Sequence, residues 1–140
     1  MRRLFGRLFI GCLFVLVASD LAPAQVITSN TCYLTSAAST NATMCRASPG
    51  TVYDMTLINT TAVIYYLRMY DLAATPTCSS ATGFVESVPI PASTSGGGVQ
   101  RIFPVGHWFA TGIGFCLTGG GSSTDNTNAA TGVYITIGYR

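Results

Sequence analysis

Apolar residues in this chain recur at every second position, in short runs set between clusters of Gly, Pro, Ser and Asn, and almost nowhere at the spacing of a helix. A period of two sends alternate side chains to opposite faces of an extended strand, so the pattern confines the chain to an all-β fold with two packed layers. The expectation is an antiparallel β-sandwich, jelly-roll or immunoglobulin-like, of about seven or eight strands.

The clearest strand runs from Ala62 to Tyr70, with Val63, Tyr65, Leu67 and Met69 on one face and Ile64, Tyr66, Arg68 and Tyr70 on the other. Both faces are largely apolar, which requires cover on both sides: the opposite sheet, and a neighbouring subunit or a long loop. Before it, Thr51 to Ile58 places Tyr53, Met55 and Leu57 opposite Asp54 and Thr56, and Asn59-Thr60-Thr61 reads as the tight turn of a hairpin. Phe84 to Ile90 carries Pro89 and is followed by Pro91, which marks an edge strand. A glycine turn leads into Val99 to Phe103, and Trp108-Phe109 opens a separate short segment. Ile113, Phe115 and Leu117 then form one half-buried strand, with Cys116 on its other side, and Val133, Ile135, Ile137 and Tyr139 close the domain. Thr118 to Thr131, between those last strands, is a long Gly, Ser, Thr and Asn segment that reads either as a free tip or as a contact loop.

The first residues read differently. Arg2, Arg3 and Arg7 precede an uncharged apolar run from Leu8 to Ala18, and Ala22-Pro23-Ala24 offers small residues for a signal peptidase. The run is about half of the roughly 20 residues a spanning helix needs. Residues 1–24 are therefore expected to be a removable leader, leaving a single domain over 25–140 with no membrane span. Without the leader, Arg46, Arg68, Arg101 and Arg140 balance Asp54, Asp71, Glu86 and Asp125. Lysine is absent throughout, and no basic patch exists to bind nucleic acid.

Of five cysteines, Cys12 falls in the leader, and Cys32, Cys45, Cys78 and Cys116 remain. An even number in an exported chain reads as two disulfides, and none of the spacings is the short pair of a zinc site. Three connectivities are open; the favoured one joins Cys32 to Cys45 across a short loop and Cys78 to Cys116.

Chemistry is sparse. The one histidine, His107, has no Gly-x-Ser-x-Gly turn to serve. Asp54, Asp71 and Glu86 have no spacing that forces a pair together, Asp71 reads as a turn residue accepting backbone N–H groups, and Glu86 is placed to pair with Arg68 across strands. No catalytic residue, metal ligand or cofactor is assigned. Asp125, Asn126 and Asn128 look superficially like a calcium loop, but one carboxylate carries too little charge for a dedicated site.

From Arg46 to Arg140 the order of motifs resembles small β-sandwich virion proteins of tailed bacteriophages, components of head decoration, fibre or capsid surface. The resemblance is carried by Ala47-Ser48-Pro49-Gly50-Thr51-Val52-Tyr53, Asn59-Thr60, Tyr66-Leu67-Arg68-Met69-Tyr70-Asp71, Pro76-Thr77 and Val88-Pro89-Ile90-Pro91-Ala92-Ser93. It continues through Phe103-Pro104, Phe109-Ala110-Thr111-Gly112-Ile113-Gly114-Phe115, Leu117-Thr118, Asp125 and the last strand. What it implies is a structural module rather than an enzyme. A leader and disulfides are not what a virion protein assembled in the cytoplasm needs, so the place of work is expected to be the periplasm, the cell surface or outside, or the virion if the resemblance extends to function.

The function expected is therefore that of an exported, non-enzymatic module acting by assembly or adhesion, with itself or another surface or virion protein as partner. Its contact surface would draw on Tyr65, Tyr66, Tyr70, Trp108, Asp125, Asn126 and Asn128. A secreted carbohydrate-binding module, using a row of exposed aromatics, is the alternative. A small secreted hydrolase is the third reading, and it requires two of His107, Asp54, Asp71 and Glu86 in one cleft.

Overall fold

The computed structural model describes residues 29–140; the expected leader and Cys12 lie outside the described residues. Eight strands follow in order: β1 (Asn30–Thr35), β2 (Thr43–Arg46), β3 (Gly50–Asn59), β4 (Tyr65–Asp71), β5 (Phe84–Ile90), β6 (Gly97–Phe109), β7 (Ile113–Thr118) and β8 (Val133–Tyr139). They form two antiparallel sheets, one in the order β1-β8-β3-β6 and the other in the order β2-β7-β4-β5. First pairs with last and each next strand with the next from the end, so the chain is one long antiparallel ribbon rolled into two layers. That winding is a jelly roll, which decides between the two sandwich types the sequence left open.

Alternation builds the core. Val52, Met55 and Leu57 of β3 with Val133, Ile135 and Ile137 of β8 meet Leu67 and Met69 of β4 with Ile113, Phe115 and Leu117 of β7. Each fully buried aliphatic or aromatic side chain contributes about 1.5–3 kcal/mol. One layer runs the width of the sandwich: Cys32, Ile137, Met55 and Arg101 share a row on the inner face of the first sheet. Facing it are Phe115, Met69 and Glu86 of the second. At one open side Cys32 is bonded to Cys45, and at the other Arg101 is paired with Glu86. The second disulfide, Cys78–Cys116, pins the β4–β5 connection to the outer face of β7. Both bridges follow the favoured pairing.

Four sequence readings need correction. Asn59 does not turn a hairpin: β3 pairs with β6 and β8, and the chain crosses to the other sheet before β4. The buried Asn59 amide donates to Val63 O and Ile90 O while its carbonyl oxygen accepts from Thr61 N, so one side chain satisfies a corner rather than a turn. Val99–Phe103 and Trp108–Phe109 belong to the single strand β6; Phe103 to Gly106 bulge out opposite Tyr53, with Gly106 at φ 77°. The same irregularity puts Val52 in the core and leaves Tyr53 half-buried outside it. Finally, β7 is buried on both faces, not one, because Pro76, the second disulfide and the Gly119–Asn128 segment lie over it.

Candidate functional site

The two outer faces of the sandwich differ, and the difference starts at Arg68. Its side chain leaves β4 on the outer face, beside Cys116 and Ser87, and is completely buried there. One terminal nitrogen donates to Ser122 O at 2.7 Å, the other to Asp125 O, and Tyr70 donates its hydroxyl to Ser123 O at 3.4 Å. The loop is closed on itself by Asp125, whose carboxylate accepts from Gly120 N (3.0 Å), Thr127 N (3.2 Å) and Thr127 Oγ1 (2.7 Å). Burial works to raise the Asp125 pKa, but these bonds outweigh it and hold the carboxyl below its ordinary value. Burial also raises the Tyr70 phenol, against the opposing charge of Arg68. The loop carbonyls thus surround a guanidinium, and the segment is a cover for its own sheet.

At the open side between β5 and β6 lies a small charged cluster. Arg101 donates to Glu86 Oε2 at 2.6 Å, and His107 Nδ1 stands 3.6 Å from Glu86 Oε1, beyond hydrogen-bond length. The imidazole sits between the rings of Phe103 and Phe109, at 5.4 and 5.0 Å between centroids. Glu86 therefore pairs with Arg101 and not with Arg68, because Glu86 shares the inner face with Met69 whereas Arg68 points outward. Of the four groups a hydrolase would draw on, His107 and Glu86 come together. Asp71 is elsewhere, accepting Ala110 N, Thr111 N and Gly112 N at 2.9, 2.6 and 3.0 Å. Asp54 is on the opposite face of its sheet from His107, its carboxylate over Gly138. A shallow depression of about 410 Å³ is lined by Leu72, Ala74, Thr75, Thr77, Ser80 and Thr82, and none of the four lies in it. The cluster clasps the two layers; with one carboxylate oxygen committed to Arg101, it contributes about 0.5–1 kcal/mol at its exposure.

The outer face of the first sheet is the bare one. Its rows, read from the register, are Thr31, Gly138, Asp54 and Ile102; then Tyr33, Thr136, Thr56 and Gln100; then Thr35, Tyr134, Ile58 and Gly98. Trp108 extends it beside Thr51. Tyr33 (62%), Ile102 (67%) and Trp108 (62%) are widely exposed, Ile58 and Tyr134 less so, and Val105 in the bulge is 93% exposed. Asp54 is the one charged side chain in these rows. Elsewhere the exposed large apolar side chains are Val63 and Ile64 in the β3–β4 connection and Val85 on β5, so the apolar, hydroxyl-rich grouping on this face is the more extensive one.

The residues picked from sequence do not make one surface. Tyr65 faces the core, Tyr70 is buried under the loop, and Tyr66 is half-covered beside Gly121. Asp125 is turned into the loop, Asn126 and Asn128 are exposed on it, and Trp108 is on the bare sheet. Sequence reading missed Tyr33, Ile58, Ile102 and Tyr134. The signal for the first was available: Thr31, Tyr33 and Thr35 alternate with Cys32 and Leu34. Comparison with protein-family models, curated proteins and solved structures finds no match to this chain.

Proposed function

We propose that this protein is an exported, non-enzymatic structural module that works through assembly or adhesion, and that the outer face of the β1-β8-β3-β6 sheet is its contact surface. The observation that carries this reading is the asymmetry of the two faces: the chain covers one with its own loop and leaves large apolar side chains exposed on the other. The resemblance of residues 46–140 to phage virion surface proteins supports a role in assembly. So does the jelly-roll winding, by fold-level analogy with capsid domains. Two intramolecular disulfides suit an oxidising location. Light scattering and sedimentation of the purified disulfide-bonded protein test the reading. Assembly or partner binding should be lost in the doubly substituted Tyr33→Lys, Tyr134→Lys protein, and retention of both at full strength would refute it.

A second reading has one specific observation in its favour. Tyr33 and Tyr134 are diagonal neighbours on adjacent strands, surrounded by threonines, an arrangement suited to stacking against a sugar ring. A glycan array probed with the same protein decides it, since binding that survives removal of both rings, or no binding at all, excludes it.

A further inference from the structure

Every two-layer sandwich leaves four edge strands, and each presents a row of unpaired backbone N–H and C=O groups. In this chain the edges are not alike. β1 has six residues and is bridged through Cys32 to β2, β2 has four residues and an irregular register at Cys45, and β5 carries Pro89, which has no N–H to offer. β6 has thirteen residues. From Gly97 to Ile102 it runs in unbroken register with β3, then ends in the bulge around Pro104. Edges are ordinarily guarded by lysine, by proline or a bulge, or by an inward-pointing charge that pairing would bury. The chain has no lysine, and the one charged residue in this stretch, Arg101, faces inward and is neutralised by Glu86.

We propose that β6 pairs antiparallel with β6 of a second copy, joining two four-stranded sheets into one of eight strands. This rests on the assembly reading above and names the partner and the seam. A two-fold axis at Gln100 keeps the bare faces of both copies on one side. It sets Ile102 against Gly98 and Arg101 against Val99 of the second copy, so no like charges stand directly opposite. Gly98 brings no side chain up against the exposed Ile102 of the second copy; the place a Cβ would take there is already filled by Leu57 O of its own chain, at 2.2 Å. An electroneutral edge favours its own copy over an oppositely charged partner, and the bulge beyond Phe103 limits the pairing to one short segment.

Amide hydrogen exchange as a function of protein concentration, read together with mass by light scattering, tests the pairing. The expected result is a concentration-dependent dimer in which every second amide of Gly97–Phe103, those pointing away from β3, slows by about tenfold or more. Ile102→Lys, on an exposed position that leaves the fold intact by near-ultraviolet circular dichroism, should weaken the dimer by about tenfold or more. A protein that associates with protection elsewhere, or undisturbed by Ile102→Lys, overturns the β6 seam and leaves the assembly reading standing. A protein that stays monomeric at all concentrations overturns self-pairing, while loss of a heterologous partner in the Tyr33→Lys, Tyr134→Lys protein would still uphold the contact face.

Discussion

Arg68 and Asp71 stand three positions apart on β4 and both engage backbone, one as donor to loop carbonyls and the other as acceptor of loop N–H groups. Arg68→Met keeps the aliphatic stem and removes two charge-assisted bonds from a dry site, a loss of about 2–3 kcal/mol by urea denaturation. The same substitution should expose Gly119–Asn128 to limited proteolysis, and resistance equal to the parent protein would show that the cover does not depend on Arg68. Asp71 governs the acid limb of stability. Burial works to raise its pKa, yet the N–H bonds from Gly112, Thr111 and Ala110 win and lower it. A carboxyl whose folded pKa lies below its unfolded value stabilises the protein fully above the unfolded value of about 3.9. That contribution fades as pH falls through the lowered folded value. Denaturation midpoints measured from pH 6 down to pH 2 should therefore decline, and Asp71→Asn should be less stable at pH 6 with a shallower decline. Asp125 adds to the same limb through Thr127 and Gly120.

The elements are held at places where packing alone is thinnest. Cys32–Cys45 ties β1 to β2, two short edge strands, and closes a loop with a separation of 13 residues; Cys78–Cys116 closes one of 38. In the chain-entropy model the first is worth about 3 kcal/mol and the second about 4. Replacing each pair by serine and measuring urea denaturation should give losses in that order, the second also loosening the β4–β5 connection; a reversed order would mean that strand packing, not loop closure, sets the values. The central strands β3, β4, β7 and β8 were legible because apolar residues recur at every second position in each, although β4 begins at Tyr65 rather than Ala62 and leaves Val63 and Ile64 exposed in the corner before it. Of the three disulfide connectivities left open by the sequence, the one favoured by the short Cys32–Cys45 loop is the one found. The β3–β4 corner was not legible, since it depends on where the Asn59 amide finds its partners, Val63 O and Ile90 O. The β6 bulge was also hidden, because Phe103-Pro104-Val105-Gly106 reads as a break unless the partner Tyr53 is known. That the second face of β4 needs cover, from a neighbouring subunit or a long loop, was legible; that the cover is Gly119–Asn128, and that β7 is buried with it, was not, because this loop lies more than forty residues away from Tyr70.

At the scale of the molecule, covalent and ionic closure at the two open sides gives a two-layer body whose faces have different fates. One is sealed by Gly119–Asn128 over Arg68 and Tyr70, and the other carries Tyr33, Ile58, Ile102 and Tyr134 with Trp108 beside the edge strand. Charge is nearly spent inside the fold, since Arg68, Arg101, Asp71, Glu86 and Asp125 are all engaged. Contacts made by the bare face are consequently expected to depend on apolar area and hydroxyl bonding, with little sensitivity to salt. Trp108 reports on that face without any label, as the single tryptophan of the chain. Acrylamide quenching of its fluorescence, followed as the protein assembles or takes up its partner, is the most direct measurement. Strong quenching in the dilute protein that falls several-fold in the assembled state, with a shift of emission to shorter wavelength, is the result expected of a contact surface. Equal quenching and an unmoved emission maximum in an assembly confirmed by light scattering would place the contact elsewhere and contradict the account.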